Sequence, residues 1–299
     1  MKKLQAWLNA FRLPTLPLAF SSIITGSALA YKQMHVFNAK VFGLSLITTL
    51  LLQVLSNLAN DYGDSQKGTD NDERIGPKRA IQSGMLSFKE VKYGIAVCAI
   101  LSLLSGVALI AEASKGMHLS MSVFFLLLGL SAIVAAIKYT VGKNAYGYQG
   151  LGDMFVVLFF GWVGVEGSYY LQTKQFSAGV LLPATTIGVL AATVLHLNNM
   201  RDRVSDEKSG KITVAVRLGF EKSKHYFYWL NFVSFSSHIV FCLWANWKWW
   251  QCTISTLPFA VLFITCLQVY QAKQPKQFDP LLKVNALATF FLSLSIALV

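Results

Sequence analysis

Two clusters of oxygen-bearing side chains sit where apolar runs of the chain end. The first is Asn57, Asn60, Asp61 and Asp64, with Asp70 a little further on; the second is Asn198, Asp202 and Asp206. On a helix, at about 100° per residue, the first four share about a third of the circumference. The second set repeats at four-residue steps along one face. Carboxylates and amide oxygens, with almost no His or Cys among them, suit a hard cation. Mg²⁺ takes oxygen ligands, keeps waters, and is usually held by one or two carboxylates plus substrate phosphates. Basic residues are interleaved with the acids: Lys67, Arg74, Lys78, Arg79, Arg201 and Lys211. Arg holds phosphate oxygens two at a time, and Lys acts as a point charge. Two such clusters facing one cavity would each hold a Mg²⁺ and clamp a diphosphate between them.

The elements that must position these residues are apolar. Hydrophobic residues make up 54% of the 299 and charged residues 13%, and mean hydropathy is +0.50. Soluble domains carry roughly 25% charged residues, so water is not the solvent throughout. Apolar runs at 14–31, 41–60, 93–111, 120–139, 153–172, 179–198, 226–246, 252–271 and 281–299 each approach the ~20 residues that cross a bilayer core. Only helices satisfy their own backbone in lipid. The expectation is an all-α integral membrane protein of about nine transmembrane helices. Residues 4–12 read as a short interfacial helix with Leu4, Trp7, Leu8 and Phe11 on one face.

Charge sets the orientation. With the N-terminus inside, only Lys32, Lys40, Lys115, Lys174 and Lys248 of the 26 basic residues fall outside, as the positive-inside rule requires. Trp244, Trp247, Trp249 and Trp250 cluster at one outer turn, like an interfacial aromatic belt. Two inside loops, 61–92 and 199–225, are long and hold most of the acids. Long loops in a compact bundle are usually functional. The formal net charge of +12 is spread between apolar runs, with no basic domain to grip a duplex; topology and anionic substrates explain it, and nucleic acid does not. Cys98, Cys242, Cys252 and Cys266 lie in or beside apolar runs without CxxC spacing and read as small core residues. No removed signal peptide is expected, since the first apolar run lacks a small-residue cleavage site.

A weak internal repeat links the clusters. Asn60 to Asp64 and Asn198 to Asp202 share one spacing, and Gly68 and Gly210 follow Asp64 and Asp206 by four residues. One domain, 1–299, would then hold two four-helix halves, about 1–140 and 141–271, and a ninth helix, 281–299. A diphosphate site at the mouth of an apolar bundle implies an amphipathic substrate, such as a prenyl diphosphate. Metal and cation clamping favours departure of the diphosphate, and aromatic faces stabilise the carbocation; Tyr139, Tyr146, Tyr148 and Phe155 are the candidates.

NLANDYGDSQKGTD (57–70), RIGPKRAIQSG (74–84), YTVGKNAYGYQGLGD (139–153) and NNMRDRVSDEKSGKITVAVRLG (198–219) resemble the UbiA superfamily of intramembrane prenyltransferases. Within it they are most similar to the branch that prenylates 1,4-dihydroxy-2-naphthoate. The resemblance implies nine helices around a central cavity, capped by cytoplasmic loops, in the inner membrane. It implies Mg²⁺ held by Asn60, Asp64 and Asp70 and by Asn198, Asp202 and Asp206, with Asp61 alongside. Many members place an acid four residues after the aspartate matching Asp64; here Gly68 stands there and Asp70 is the next acid. Asn60, Asp64, Asp202 and Asp206 are the expected catalytic set. The expected substrate contacts are Asn57, Lys67, Arg74, Lys78, Arg79, Tyr139, Lys143, Tyr148, Arg201 and Lys211, with Lys143 and Arg79 the candidates for contact with an anionic substrate. The implied reaction joins a polyprenyl chain to the dihydroxynaphthoate ring with loss of diphosphate and CO2, giving demethylmenaquinol. The competing readings are a related enzyme with another aromatic acceptor and, from another class, a transporter. Intramembrane acids suit a transporter, but here they gather at one membrane face. Asp153 reads as a helix cap or cavity residue, Glu166 as a bundle or interface acid, and His196 as a packed neutral side chain.

Overall fold

The computed structural model of the chain describes residues 2–71 and 74–299. Among them every regular element is a helix. A short amphipathic helix, α1 (Lys2–Phe11), precedes α2 (Leu16–Met34). There follow α3 (Ala39–Gln66), α4 (Phe88–Ala113) and α5 (Leu119–Lys138). The second half holds α6 (Gly152–Thr173), α7 (Leu181–Lys208), α8 (Val214–Trp244), α9 (Trp249–Gln271) and α10 (Asp279–Leu298). Among the described residues eight helices are long and apolar enough to cross a membrane, and the count is nine when α1 and α2, bent by 44° at their junction, are taken as one span.

Two of the expected spans run well past their apolar stretches. α3 and α7 each have 28 residues, or about 42 Å at 1.5 Å per residue. That exceeds a ~30 Å hydrocarbon core by roughly two turns. Residues 61–66 and 199–208, expected in loops, are therefore helical extensions. α8 likewise begins at Val214, capped by the Thr213 hydroxyl accepting from the Val216 amide, and breaks once at Gly219, φ +74, so the supposed loop 199–225 shrinks to 209–213 and that one kink. Hydropathy sees only lipid; a polar stretch with helix formers and no breaker keeps its intrahelical bonds into water.

α10 packs between α2 and α7 and closes the bundle. The outer half holds a tight apolar core including Leu29, Val165, Ile187, Phe241, Phe259 and Leu292. α5 buries no residue of its own, and its Leu127 and Val134 point outward, as suits a lipid-facing helix. Around α1 the face differs from the expected one. Ala6 and Ala10 are buried, with Trp7 and Phe11 packed beside them, while Leu4 and Leu8 point away.

α6 is wound as a π-helix over Val157–Glu166, a local widening often seen at functional sites. It crosses α7 at two glycines. A Cβ on Gly188 would stand 2.7 Å from the Val157 carbonyl oxygen and 2.8 Å from the Gly161 Cα. Overpacking a site closed by backbone costs about 1–3 kcal/mol or more. Gly188→Leu is expected to lower the melting temperature in detergent by several degrees and to cut activity; an unchanged melting curve would show that the crossing is slack.

Candidate active site

α3 and α7 end in the same way. Gly68 and Gly210 both take the left-handed conformation, with φ +71 and +75. The Thr69 amide donates to the Asp64 carbonyl at 2.9 Å, and the Lys211 amide donates to the Asp206 carbonyl at 2.8 Å. Gly68 N–H reaches Ser65 O and Gly210 N–H reaches Glu207 O. Each end is a Schellman cap, for which glycine is favoured because it lacks a Cβ. The caps register the internal repeat differently from the spacing of the first residues. Asp64 matches Asp206, and Asn60 matches Asp202.

The capped ends face each other across a mouth laced with cations. Lys211 Nζ lies 3.2 Å from Asp64 Oδ2 and 3.8 Å from Asp206 Oδ1, bridging the two helix ends. Arg74 donates to Asp70 Oδ1 at 2.9 Å and to Asp202 Oδ2 at 3.3 Å, bridging the first inner loop to α7. Arg201 grips Asp202 with Nε at 2.9 Å and Nη2 at 2.7 Å, and also reaches Asn198 and Asp279. Gly76 makes this possible: a Cβ there would stand 2.5 Å from Arg201 Nη2. The Tyr148 hydroxyl donates to Asp64 Oδ1 at 2.8 Å and meets the Thr69 hydroxyl at 2.6 Å.

Electrostatics follows from these contacts. Burial pulls the Lys211 ammonium down, but Asp64 and Asp206 outweigh it and hold it above the usual lysine range. Burial raises the Asp70 carboxyl, against the pull of Arg74. Burial and then Asp64 raise the Tyr148 phenol, which keeps it a neutral donor. Burial and the neighbouring Arg12 push Arg79 down to about 9, still above physiological pH.

Three buried oxygens at this mouth have no hydrogen-bond partner: Asn60 Oδ1, Asp70 Oδ2 and Asp206 Oδ2. Unpaired buried acceptors are costly, and these are hard oxygen donors of the kind Mg²⁺ takes. Among the described residues no three acidic, His or Cys side chains converge at metal-ligand spacing. Such a donor set suits a cation completed by water and phosphate oxygens.

Below the mouth lies a cavity of about 400 Å³. It runs from Asp64, Asp70, Asp202 and Asp206 at the inner end to Leu109 and Leu171 near the outer ends of α4 and α6. Tyr139, Tyr146, Phe155 and Phe159 line it as a ladder: edge-on at 5.3 Å, then stacked at 4.0 Å and 6.2 Å. An apolar shaft beneath a charged mouth accommodates an amphipathic molecule with its anionic head at the loops.

The cavity wall gathers many of the expected residues: Asn57, Asn60, Asp64, Asp70, Arg74, Arg79, Tyr139, Asn198, Asp202, Asp206 and Lys211. Others stand elsewhere. Asp61, expected beside the metal ligands, is 100° round the helix from Asn60 and off the cavity wall, where Arg12 and Arg79 engage it. Lys143 is exposed on the turn after α5, because the backbone there folds Tyr146 inward and leaves Lys143 in solvent. Lys78 is exposed too. Lys67 lies over the Tyr148 ring at 3.7 Å, so both act behind the wall. Arg201 is consumed by its carboxylates. Residues that sequence reasoning passed over are Arg12 and Gln53 on the cavity wall, Thr69, and Asp279. The signal for Arg12 was its place against the Leu13–Pro14 bend after an amphipathic helix.

His196 is fully buried, with Nε2 3.0 Å from the Ser223 carbonyl, and Asp153 lies 3.7 Å from its Nδ1. Glu166 accepts from the Ser177 amide at 2.9 Å and ties the outer turn. All four cysteines are free.

The model of the UbiA prenyltransferase family matches residues 19–295. A 1,4-dihydroxy-2-naphthoate octaprenyltransferase of Haemophilus influenzae is 45% identical over 298 residues, covering 99% of this chain and 96% of its own. That of Escherichia coli is 47% identical over 252 residues, covering 83% and 81%. Among solved structures, a UbiA homolog from Aeropyrum pernix superposes with a TM-score of 0.70 at 15% identity, over 96% of this chain and 98% of that one. A UbiA homolog from Archaeoglobus fulgidus bound to GPP and Mg²⁺ superposes with a TM-score of 0.65 at 16% identity, over 98% and 100%. With a family match across nearly its whole length and close relatives of the same kind, this multi-pass membrane chain belongs to the UbiA prenyltransferase family.

Proposed function

We propose that this enzyme transfers a polyprenyl chain from its diphosphate to 1,4-dihydroxy-2-naphthoate, with Mg²⁺ as cofactor and with loss of CO2, giving demethylmenaquinol. The observation that carries the reading is the pair of capped helix ends facing one another at the mouth of an aromatic-lined shaft. The names of the 45–47% identical relatives support the acceptor, and the A. fulgidus homolog bound to GPP and Mg²⁺ supports the donor class and the metal. The basic inner loops support an active site facing the cytoplasm, with the N-terminus on that side.

Asn60, Asp64 and Asp70 on one side, and Asn198, Asp202 and Asp206 on the other, are the residues that would hold Mg²⁺. Bound there, the cation neutralises the diphosphate and makes it a better leaving group. Lys211 and Arg74 span the gap between the two sides and present positive charge to the phosphate oxygens. Tyr139, Tyr146 and Phe155 line the shaft, where an allylic cation beside them would gain from their quadrupoles. The allylic C–O bond breaks with its electron pair passing to the diphosphate. The electron-rich ring then forms the new C–C bond to the allylic carbon. Loss of CO2 returns its bonding pair to the ring and restores aromaticity.

The test is an assay of purified protein in detergent with Mg²⁺, 1,4-dihydroxy-2-naphthoate and a polyprenyl diphosphate, read by mass spectrometry. Demethylmenaquinol should form, and EDTA should abolish it, with activity returning on adding Mg²⁺ in excess. Prenylation of 4-hydroxybenzoate in place of the naphthoate would move the acceptor. EDTA-resistant product would remove the metal.

A further inference from the structure

One charged cluster on the cavity wall stands apart from the ion pairs that bridge the two capped helix ends. Arg12 sits at the corner between α1 and α2 in a left-handed conformation, φ +52, which is uncommon for a residue with a side chain. The corner is pinned. Asn57 Nδ2 donates to the Phe11 carbonyl at 3.0 Å, and the Thr15 hydroxyl donates to the Arg12 carbonyl at 2.8 Å. The result is a guanidinium turned into the bundle, where its Nη2 bonds Asp61 Oδ1. Arg79, from the first inner loop, brings its Nε to 3.5 Å from the same oxygen. Two guanidiniums thus share one oxygen of one carboxylate. Arg12 Nε is buried without an acceptor, and Asp61 Oδ2 is buried without a donor. Arg12 and Arg79 line the cavity, whereas Asp61 stands behind them. The cavity therefore meets two cations backed by one anion, an excess of one positive charge.

The position says which anion fits. Asn57 to Asp61 lie three to seven residues before Asp64 on α3, which places this part of the wall about 5–10 Å to the membrane side of Asp64. The diphosphate zone is at Asp64, Asp70, Asp202 and Asp206, where Lys211 and Arg74 already supply cations. An anion one to two turns deeper belongs to whatever meets the allylic carbon just past the diphosphate, namely the acceptor ring.

We propose that Arg12 and Arg79 form the seat for the carboxylate of the aromatic acceptor, and that they select a carboxylated ring over the same ring without it. This rests on the acceptor class given above. A planar guanidinium fork matches a carboxylate with two parallel hydrogen bonds. The unmet donor on Arg12 and the half-shared Arg79 gain a partner when the acid binds. A ring lacking the carboxylate leaves them unmet, and sites built to bond a polar group reject analogues that lack it. Asp61 holds the pair in place between turnovers.

The experiment uses the full-length protein in detergent with Mg²⁺ and a polyprenyl diphosphate. Steady-state rates are measured with 1,4-dihydroxy-2-naphthoate and with 1,4-dihydroxynaphthalene, for the wild type, Arg12→Gln, Arg79→Gln and Arg12→Lys. The wild type should favour the acid by about 100-fold or more in kcat/KM. Each Gln variant should raise KM for the acid about 10-fold or more, reduce the preference to a few fold, and leave KM for the polyprenyl diphosphate within about two-fold. Arg12→Lys keeps the charge without the fork, so its preference should fall between the two; it stands in if the Gln variants fail to fold, and an unchanged preference in it overturns the proposal. A raised KM for the diphosphate with acceptor preference intact assigns the pair to the donor and also overturns it. A wild type that uses both rings equally removes the seat but keeps the reaction. A wild type inactive on the acid yet active on another aromatic acceptor removes the acceptor class itself.

Discussion

Asp64→Asn is expected to lower turnover on the order of 10³-fold or more, and Asp206→Asn to do the same. The two aspartates occupy one position in two equal Schellman caps, on helices that face each other across the mouth. Each removes a full negative charge from one side of the diphosphate clamp while keeping nearly the same shape. Asn at 64 keeps one oxygen, which accepts from Lys211 while its amide donates to the Tyr148 hydroxyl, so the local bonding is largely replaced and the helix end should hold. Turnover measured at saturating Mg²⁺, alongside a melting curve in detergent, separates the two effects. A folded variant with wild-type turnover would sink the clamp. A loss confined to one of the two would show that only one helix end carries the chemistry.

Lys211→Met is expected to lower kcat/KM for the polyprenyl diphosphate about 100-fold, through a higher KM as well as a lower kcat. Its ammonium bridges Asp64 and Asp206 at 3.2 Å and 3.8 Å, the same carboxylates that a cation would claim. With Asp64 and Asp206 engaged by Mg²⁺, Lys211 would turn its charge on the phosphate oxygens, so its ammonium would compete with the metal and assist the substrate. Removing it should leave the half-saturating Mg²⁺ concentration unchanged or lower. If the Mg²⁺ requirement rises several-fold while diphosphate kinetics stay as in the wild type, Lys211 is a structural strut between two helix ends and nothing more. Titrating Mg²⁺ at several fixed diphosphate concentrations distinguishes these cases.

Which residues are visible in a sequence depends on what kind of force places them. Asn60, Asp64, Asp202 and Asp206 were legible because polar side chains at helical spacing beside an apolar run are expensive unless they face a cavity. The two Schellman glycines were legible as spacing, four residues after Asp64 and after Asp206, but a second spacing competed with that register. The repeat from Asn60 to Asp64 and from Asn198 to Asp202 pairs Asp64 with Asp202, and the left-handed backbone at Gly68 and Gly210 decides for Asp64 with Asp206. Asp61 shows the complementary error. It lies within the same third of a helix circumference as Asn60 and Asp64, but a side chain 100° away meets a different neighbour, and Arg12 is 49 residues distant in the chain.

Read along the chain, apolar length and the demand that backbone be satisfied in lipid leave few alternatives to a membrane-spanning helical bundle with its acids gathered at one face. Tertiary structure decided which cation goes with which anion. Lys78 and Lys143 stand in the same inner segments as Arg74 and Lys211, but their side chains are exposed in loops while Lys211 and Arg74 reach across between elements. Arg12 entered the wall because a pinned left-handed corner turned it inward. Charge and spacing are local and can be read along the chain. Pairing depends on which helices lie side by side, and that is settled by packing such as the Gly161–Gly188 crossing and by α10 closing the bundle between α2 and α7.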